Sequence, residues 1–143
     1  MRKYLFQIFG FLCMFLLISC IFIQRPMPTD LGVYKPLPFN KLINQAYASD
    51  VEGQFVKVDA FFSLLFDDVG GAPVRYRNGK WVRISIESGA SSTVDVMVPK
   101  SKSDILFTLK SGEPITIYAR ADNWIDNHGN AKAALIVYQV DRR

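Results

Sequence analysis

The chain has 143 residues, half of them hydrophobic, and carries a formal net charge of +4. This length is enough for one domain of ordinary size. Without Arg2 and Lys3, 15 basic side chains remain against 13 acidic ones, which is a weak basic bias for a domain that binds nucleic-acid phosphates. Both cysteines, Cys13 and Cys20, precede position 21, which excludes a disulfide or a cysteine-ligated metal in the rest of the chain.

An uncharged, mainly apolar run from Tyr4 to Ile23 follows the two basic residues at the start of the chain. Its length suits a membrane-spanning helix, and the order of basic and then apolar residues is also that of a signal peptide. Because the positive residues stay on the inner side, we expect everything after Arg25 to be exported. Residues 1–23 are therefore predicted to form an apolar helix that serves as a signal peptide or a membrane anchor.

The end of this run, Leu17-Ile18-Ser19-Cys20, resembles the lipobox of bacterial lipoproteins. In that family a diacylglyceryl group is attached to the cysteine and the signal is cut just before it, which implies lipidation of Cys20. The next residues, Ile21-Phe22-Ile23, are apolar where such lipoproteins become polar. Three fates of this N-terminal run stay open: it is cleaved before Cys20, it remains as an uncleaved anchor, or it is removed and the protein is simply secreted. Each of them leaves the domain facing the periplasm, anchored at the inner or outer membrane where an anchor remains.

Residues 24–49 are predicted to be a linker that ends in a short helix. Four prolines between positions 26 and 38 favour extended chain, so residues 24–38 are interpreted as a tether that lifts the domain from the membrane. A helix is predicted from Phe39 to Ala48, because Leu42, Ile43 and Tyr47 occur at helical spacing. The domain proper is then predicted to cover residues 50–143.

From Gln54 onward the hydrophobic pattern has a period of two, which predicts five strands. The first runs to Phe66, and its inward face is predicted to carry Val56, Val58, Ala60, Phe62, Leu64 and Phe66. Asn78-Gly79 indicates a type I′ turn within a hairpin, because both central residues of that turn need positive φ. The other four strands are predicted around residues 82–87, 93–99, 115–122 and 133–141.

A short helix is predicted between the third and fourth of these strands. Ser103 is a plausible N-cap, Ile105, Leu106 and Leu109 form an apolar stripe, and Gly112 ends the element. The order of elements resembles the OB-fold, a mainly β, five-stranded Greek-key barrel, with its helix between strands three and four. The segment LKSGEPITIYARA is similar to the entry into the fourth strand of such barrels.

The resemblance covers residues 50–143, and the main alternative is another small β-barrel or an incomplete sandwich. Together with the exported N-terminus, the chain is similar to small bacterial OB-fold lipoproteins, including the tRNA-anti-like family. OB barrels bind oligonucleotides or oligosaccharides across strands two and three, between the first-to-second and fourth-to-fifth loops. The resemblance therefore implies a candidate ligand site that comprises Arg75, Tyr76, Arg77, Trp81, Arg83 and Trp124.

Aromatic rings beside arginines can stack on bases or sugars, and arginine can pair with phosphate or carboxylate. An alternative is that these rings cover the barrel ends and that the cations, with Lys80, keep an edge soluble. Glu87 and Asp95 are predicted on the same outer face, which opposes the binding of nucleic acid there. Met97 is predicted to project from that face as well.

No catalytic or metal-binding pattern is present in the sequence. His128 is the only histidine, and no nucleophile stands at a supporting spacing. The acid pairs around Asp67 and Asp122 lack the order of a calcium loop. We therefore expect a non-catalytic binding module, without cofactor or metal, tethered at the bacterial cell envelope, whose ligand is a protein, a glycan or a small molecule.

Two alternatives stay open. The first is a nucleic-acid-binding barrel. The second is an enzyme or a haem carrier that uses His128. The haem chaperone of cytochrome c maturation is also an anchored OB barrel with one functional histidine, but the acidic and aromatic residues that follow its histidine are absent after His128.

Overall fold

The computed structural model describes residues 26–70, 72, 74–89, 92–125 and 131–143. Within these ranges the strands are β1 (Lys35–Pro36), β2 (Phe55–Phe66), β3 (Trp81–Glu87), β4 (Thr93–Pro99), β5 (Pro114–Ile125) and β6 (Ala131–Arg142). Two short helices, α1 (Phe39–Ile43) and α2 (Ala48–Val51), precede β2. The predicted N-terminal helix, Cys20 and His128 lie outside the described ranges. No helix in the described part of the chain is long and apolar enough to span a membrane.

Strands β2 to β6 form a closed five-stranded barrel. The strand order is β1-β2-β3-β4-β6-β5, and β5 also pairs with β2, which closes the barrel. The pairing of β4 with β6 is parallel and short, through Val96 and Met97, whereas the other barrel pairs are antiparallel. A closed mainly β barrel with this Greek-key order is an OB-fold, and the predicted fold class is confirmed.

The barrel interior is built from the alternating apolar residues that the sequence pattern predicts. The buried residues shared by five strands are Val56, Val58, Ala60, Phe62, Ile84, Ile86, Val94, Val96, Val98, Ile115, Ile117, Ala119, Leu135 and Val137. Because successive side chains of a strand point to opposite faces, one apolar face per strand is enough to fill this core. Each large side chain buried in this way stabilises the fold by about 1.5–3 kcal/mol relative to exposure.

A bulge in β2 changes which residues face the core. The register with β3 shifts between Phe62 and Leu64, so that Leu65 pairs with Ile84 and Phe66 pairs with Arg83. Leu65 packs against the core, while Leu64 is 52% exposed. The prediction that Leu64 and Phe66 point inward is wrong, because one extra residue in a bulge reverses the alternation beyond it.

The connection between β4 and β5 is helical but consists of 3-10 turns, Lys100–Lys102 and Asp104–Thr108. Ser103 precedes the second turn, but its hydroxyl donates to the Lys100 carbonyl at 2.9 Å and does not cap an amide. Leu106 enters the core and covers one end of the barrel. The predicted element is therefore present in its predicted place, in the tighter 3-10 form.

Helices α1 and α2 cover the other end of the barrel. Phe39, Leu42, Ala48 and Val51 belong to the buried core. The chain leaves helical geometry at residue 44, so the prediction of one helix across residues 39–48 is wrong. Its predicted stripe also differs from the buried face, since Ile43 and Tyr47 are 38% and 43% exposed.

Residues 26–36, which the sequence interpretation assigns to a tether, lie against the barrel. Lys35 and Pro36 pair in parallel with β2 at Val56 and Lys57. Before them, Tyr34 packs its ring against the rings of Phe55, Tyr118 and Tyr138, at centroid distances between 5.7 and 5.9 Å. The Tyr34 hydroxyl donates to the Pro28 carbonyl at 2.8 Å, and burial raises the pKa of Tyr34 to about 12. This part of the predicted linker thus belongs to the folded unit.

The predicted hairpin around Asn78-Gly79 is not formed. Gly79 has a φ of +75°, but no non-glycine residue of the described chain has positive φ, so the turn is not type I′. The side chain of Asn78 instead accepts the Lys80 amide at 3.1 Å, and β3 begins only at Trp81. The preceding residues, Val74–Tyr76, form a 3-10 turn, because Tyr76 is buried against the barrel.

The bulge predicts opposite effects for two adjacent leucines. Leu65→Ala should lower the free energy of unfolding by about 2 kcal/mol, because it removes a side chain that packs on the core. Leu64→Ala is the matched control and should change it by less than about 0.5 kcal/mol, because the side chain is exposed. Urea unfolding of both variants measures this difference. The reverse order would contradict the bulge and restore the simple alternation.

Candidate functional site

The outer face of β3 and β4 is the surface on which the sequence analysis places the ligand site. Val82, Ile84 and Ile86 face inward, so the alternate residues face outward. The outward pairs, in order along the strands, are Trp81 with Pro99, Arg83 with Met97, Ser85 with Asp95, and Glu87 with Thr93. The face therefore has an apolar end near Trp81 and a polar, acidic end near Glu87.

The apolar end of this face is covered by the described part of the β2–β3 loop, residues 67–70, 72 and 74–80. A second group of buried residues, here called the outer cluster, comprises Ala72 and Tyr76 of the loop, Met97 of β4, and Ala134 and Ile136 of β6. Met97 is fully buried and Tyr76 is 3% exposed. Trp81 lies against the cluster, and its ring meets the Tyr76 ring edge-on at 5.3 Å. The loop is consequently packed on the barrel over this end of the face.

Asp122, on β5, holds this loop in place. The Tyr76 hydroxyl donates to the Asp122 carboxylate, and the Arg75 guanidinium lies 2.7 Å from the same oxygen. Arg75 also donates to the Asn123 carbonyl at 3.3 Å. Burial of the phenol, and then its hydrogen bond to the carboxylate, raise the pKa of Tyr76. Hydrogen bonds to a charged group are stronger than neutral ones, so Asp122 is the main polar attachment of the loop.

Arg83 is enclosed on the outer face. Its guanidinium carbon lies 3.9 Å from the centroid of the Phe66 ring, and Nη1 lies 4.0 Å from Asp95 Oδ2. Gly70 covers the other side, and a Cβ added there would come within 2.9 Å of the guanidinium nitrogens. The side chain is only 17% exposed. Arg83 therefore stacks within the protein and has a carboxylate next to it.

The six predicted site residues thus occupy different environments. Arg75, Tyr76, Trp81 and Arg83 lie along one face, where Arg75 and Arg83 are paired with carboxylates. Arg77 is exposed, and its Nε donates to the Ala72 carbonyl at 2.9 Å. Trp124 belongs to β5 opposite Lys132, and its side chain lies outside the described part. The sequence does not predict Asp122 as the partner of Arg75 and Tyr76, because it shows Asp122 only as one of several oxygen-bearing residues near the end of a strand.

A groove adjoins the polar end of the outer face. It has a volume of about 330 Å³ and lies between α1, the start of β4 and the start of β6. Its lining consists of Leu42, Ile43, Ser92, Thr93, Val94, Asp95, Lys132 and Ala133. The lining combines apolar side chains with hydroxyl, carboxylate and ammonium groups. This volume is at the lower end of the range for sites that hold organic ligands.

The groove could not be inferred from the sequence pattern. Asp95 was predicted to face outward, but α1 was assigned to a linker, so nothing in the alternation brought Ile43 next to it. Within the described residues no group of three or more His, Cys, Asp or Glu side chains is arranged to hold a metal.

Comparison with known proteins identifies similar folds. No family model matches the chain, and no curated protein matches it significantly. It is similar to a putative aspartyl-tRNA synthetase from Leishmania major Friedlin, with a TM-score of 0.51 and 12% identity, over 84% of this chain and 22% of the synthetase. At this identity the likeness concerns the fold alone.

Two further similar structures have lower scores. The S. pombe Stn1-ten1 complex gives a TM-score of 0.46 at 6% identity, over 62% of this chain and 57% of that one. OBody AM2EP06 bound to hen egg-white lysozyme gives 0.48 at 13%, over 65% of this chain and 82% of the OBody. The narrower resemblance to bacterial lipoproteins stays a prediction.

The attachment of the loop predicts a specific effect of Asp122→Ala. This variant leaves Arg75 and Tyr76 without their carboxylate, a loss of roughly 1.5–3 kcal/mol for hydrogen bonds to a charged group. The loop should then open at least about tenfold more often, and trypsin should cut after Arg77 or Lys80 correspondingly faster. Limited proteolysis followed by mass spectrometry measures the rate.

Asp59→Ala is the matched control for this experiment. Asp59, on β2, accepts a hydrogen bond from Thr116 of β5 at 2.7 Å and lies 3.7 Å from an Arg143 nitrogen. These contacts do not involve the β2–β3 loop. The cleavage rate of this variant at the loop should equal that of the unmodified chain. Equal rates for all three proteins would contradict the role assigned to Asp122.

Proposed function

We propose that this protein is a non-catalytic binding domain that is exported and held at the bacterial cell envelope by its N-terminal segment. Its ligand is a protein, which binds at the groove and the adjoining polar end of the outer face. The observation that carries the proposal is the uneven coverage of this face. The chain itself covers the apolar end, whereas Asp95, Thr93 and the groove remain accessible.

The shape and chemistry of the groove support a protein ligand. Apolar side chains of the lining, among them the 38% exposed Ile43, can contact an apolar side chain of a partner, while Thr93 and Asp95 can pair with its polar groups. Tyr47, exposed on the neighbouring turn, extends this surface. Aromatic and apolar anchors in a pocket with a polar rim are typical of protein interfaces.

Nucleic acid is the alternative ligand, supported by the binding properties of OB barrels in general. Two of the arginines predicted to contact it, Arg75 and Arg83, lie next to Asp122 and Asp95. Their charges are therefore offset, and Glu87 adds a carboxylate to the same face. This arrangement favours the protein ligand over a phosphate chain.

The membrane-tethered part of the proposal rests on the apolar run and on the lipobox-like Cys20. We propose that the domain is not catalytic because two of its buried hydroxyl groups, which could otherwise act as nucleophiles, take part in structural hydrogen bonds. The hydroxyl groups of Ser103 and Thr116 donate to a backbone carbonyl and to a cross-strand carboxylate. The use of His128 by an enzyme or a haem carrier stays a prediction.

Site-specific photocrosslinking of the full chain in its membranes tests the ligand site. A crosslinker at Thr93, on the edge of the groove, should give one adduct of defined mass with a protein partner. The adduct should fall at least about tenfold when Ile43→Glu places a charge among the apolar side chains of the groove. Adducts that resist Ile43→Glu, or that are nucleic acid, would overturn the proposal.

A crosslinker at Lys110 is the positional control. Lys110 is exposed in the β4–β5 connection, outside the groove lining, and should give no adduct of the same mass. Salt-sensitive binding of single-stranded DNA that is lost when Arg75, Arg77 and Trp81 are replaced would favour the nucleic-acid alternative. A catalytic turnover or a haem-binding activity that is lost in His128→Ala would favour an enzyme or a haem carrier that uses His128.

A further inference from the structure

The packed segment 26–36 fixes which side of the barrel lies next to the chain that precedes it. Met27 packs against the outer cluster, and Pro26 and Met27 line a hollow of about 180 Å³ together with Trp81 and Arg120. Further along, Tyr34 and Lys35 are held on β2, β5 and β6. The surface around this segment is therefore fixed relative to Pro26.

Covalent reach then limits how far this surface can be from a membrane. This step rests on the proposed membrane attachment. Ile23, the last residue of the apolar run, precedes Pro26 by three residues, which span at most roughly 10 Å. A lipid on Cys20 would be attached six residues before Pro26, a span of roughly 20 Å at most. With either anchor, the surface around Pro26 lies close to the lipid headgroups.

This surface carries a concentration of basic residues, here called the basic surface. Its members are Lys35, Lys57, Lys80, Lys100, Lys102 and Arg120. Lys102 Nζ lies 3.6 Å from the centroid of the Tyr138 ring, and Lys57 Nζ lies 5.8 Å from that of Tyr118; both rings contact Tyr34. Arg120 lines the hollow with Pro26, and the Lys100 amide donates to the Lys80 carbonyl at 2.9 Å beside it.

Among the described residues, no carboxylate oxygen lies within 4.0 Å of a side-chain nitrogen of the basic surface. Ion pairs among those residues involve Arg75, Arg83, Arg142 and Arg143, which lie outside it. Two acidic residues lie near it and keep their charge: Asp30 accepts the Gly32 amide at 2.9 Å, and Asp59, two residues from Lys57 on β2, lies 3.7 Å from an Arg143 nitrogen. Six basic side chains that form no ion pair with the described residues thus lie on the side of the barrel where Pro26 lies.

We propose that the basic surface docks onto anionic lipid headgroups and fixes the orientation of the barrel on the membrane. Docking directs the groove, at the α1 and α2 end of the barrel, away from the segment that enters the membrane. Each basic side chain near an anionic surface raises the docked population roughly fivefold. The interaction is electrostatic, so it weakens when salt shortens the screening length below about 10 Å.

The test uses the full chain in nanodiscs, of phosphatidylcholine alone or with about 30 mol% of anionic phosphatidylglycerol. Amide exchange in residues 100–103 should be at least about fivefold slower in the anionic discs. Lys80→Gln/Lys100→Gln should abolish most of this difference, because two basic residues account for roughly a 25-fold change in docking. High salt should abolish it in the unmodified chain as well.

Lys41→Gln/Lys110→Gln is the matched control, with the same change of net charge outside the basic surface, and it should keep the difference. A control that loses the difference equally would overturn the proposal, as would equal exchange in both kinds of disc. Salt-sensitive binding of single-stranded DNA that is lost in Lys80→Gln/Lys100→Gln, without any effect of lipid, would assign the surface to nucleic acid instead. Flotation of the discs tests the membrane attachment separately from docking of the basic surface. A chain that does not remain with either kind of disc contradicts the proposed attachment of the N-terminal segment.

Discussion

The pairing of β2 with two different neighbours is the constraint on which the rest of the structure depends. Its first half, from Phe55 to Phe61, pairs with β5, and its second half, to Phe66, pairs with β3. The bulge between Phe62 and Leu64 bends β2 between the part that pairs with β5 and the part that pairs with β3. The barrel closes through this strand, and both the core and the outer faces take their positions from it.

Closure of the barrel also decides where the chain must cover its own surface. On the outer face of β4 and β6, Met97 and Ile136 are apolar and would be exposed on an isolated barrel. The β2–β3 loop buries them with Tyr76, and Asp122 fixes that loop by charge-assisted hydrogen bonds. On β2, β5 and β6, Tyr34 covers three further rings. Two separate parts of the chain therefore complete the fold, and the groove beside Asp95 is left accessible.

The sequence predicts those parts of the fold that follow from local periodicity. Strands β3, β4 and β5 lie close to where the alternation of apolar residues predicts strands, because that alternation reports burial directly. The predicted alternation is wrong where β2 contains an extra residue, since a bulge before Leu65 leaves no signal in an apolar run such as FFSLLF. The predicted turn is also wrong at Asn78-Gly79, where a local turn preference competes with burial of Tyr76.

The candidate site was less predictable than the fold, because its contacts are distant in sequence. Arg75 and Asp122 are 47 positions apart, so no pattern near either residue indicates the pair. The prolines before Phe39 favour extended chain, and the structure has a 3-10 turn at Leu31–Val33 between extended residues. Extended chain that packs on a barrel and extended chain that is free have the same local signature, however, and only the ring contacts of Tyr34 distinguish them.

The central claim is that the chain before α1 is part of the folded domain and covers its outer surface. Nuclear Overhauser spectra of the full chain in detergent micelles, with methyl-labelled methionine and isoleucine, test it most directly. The structure predicts a cross-peak between the Met27 and Ile136 methyl groups, since both side chains line the same hollow. A Met27 methyl group with the chemical shift of an unfolded peptide and no cross-peak to the barrel would contradict the account.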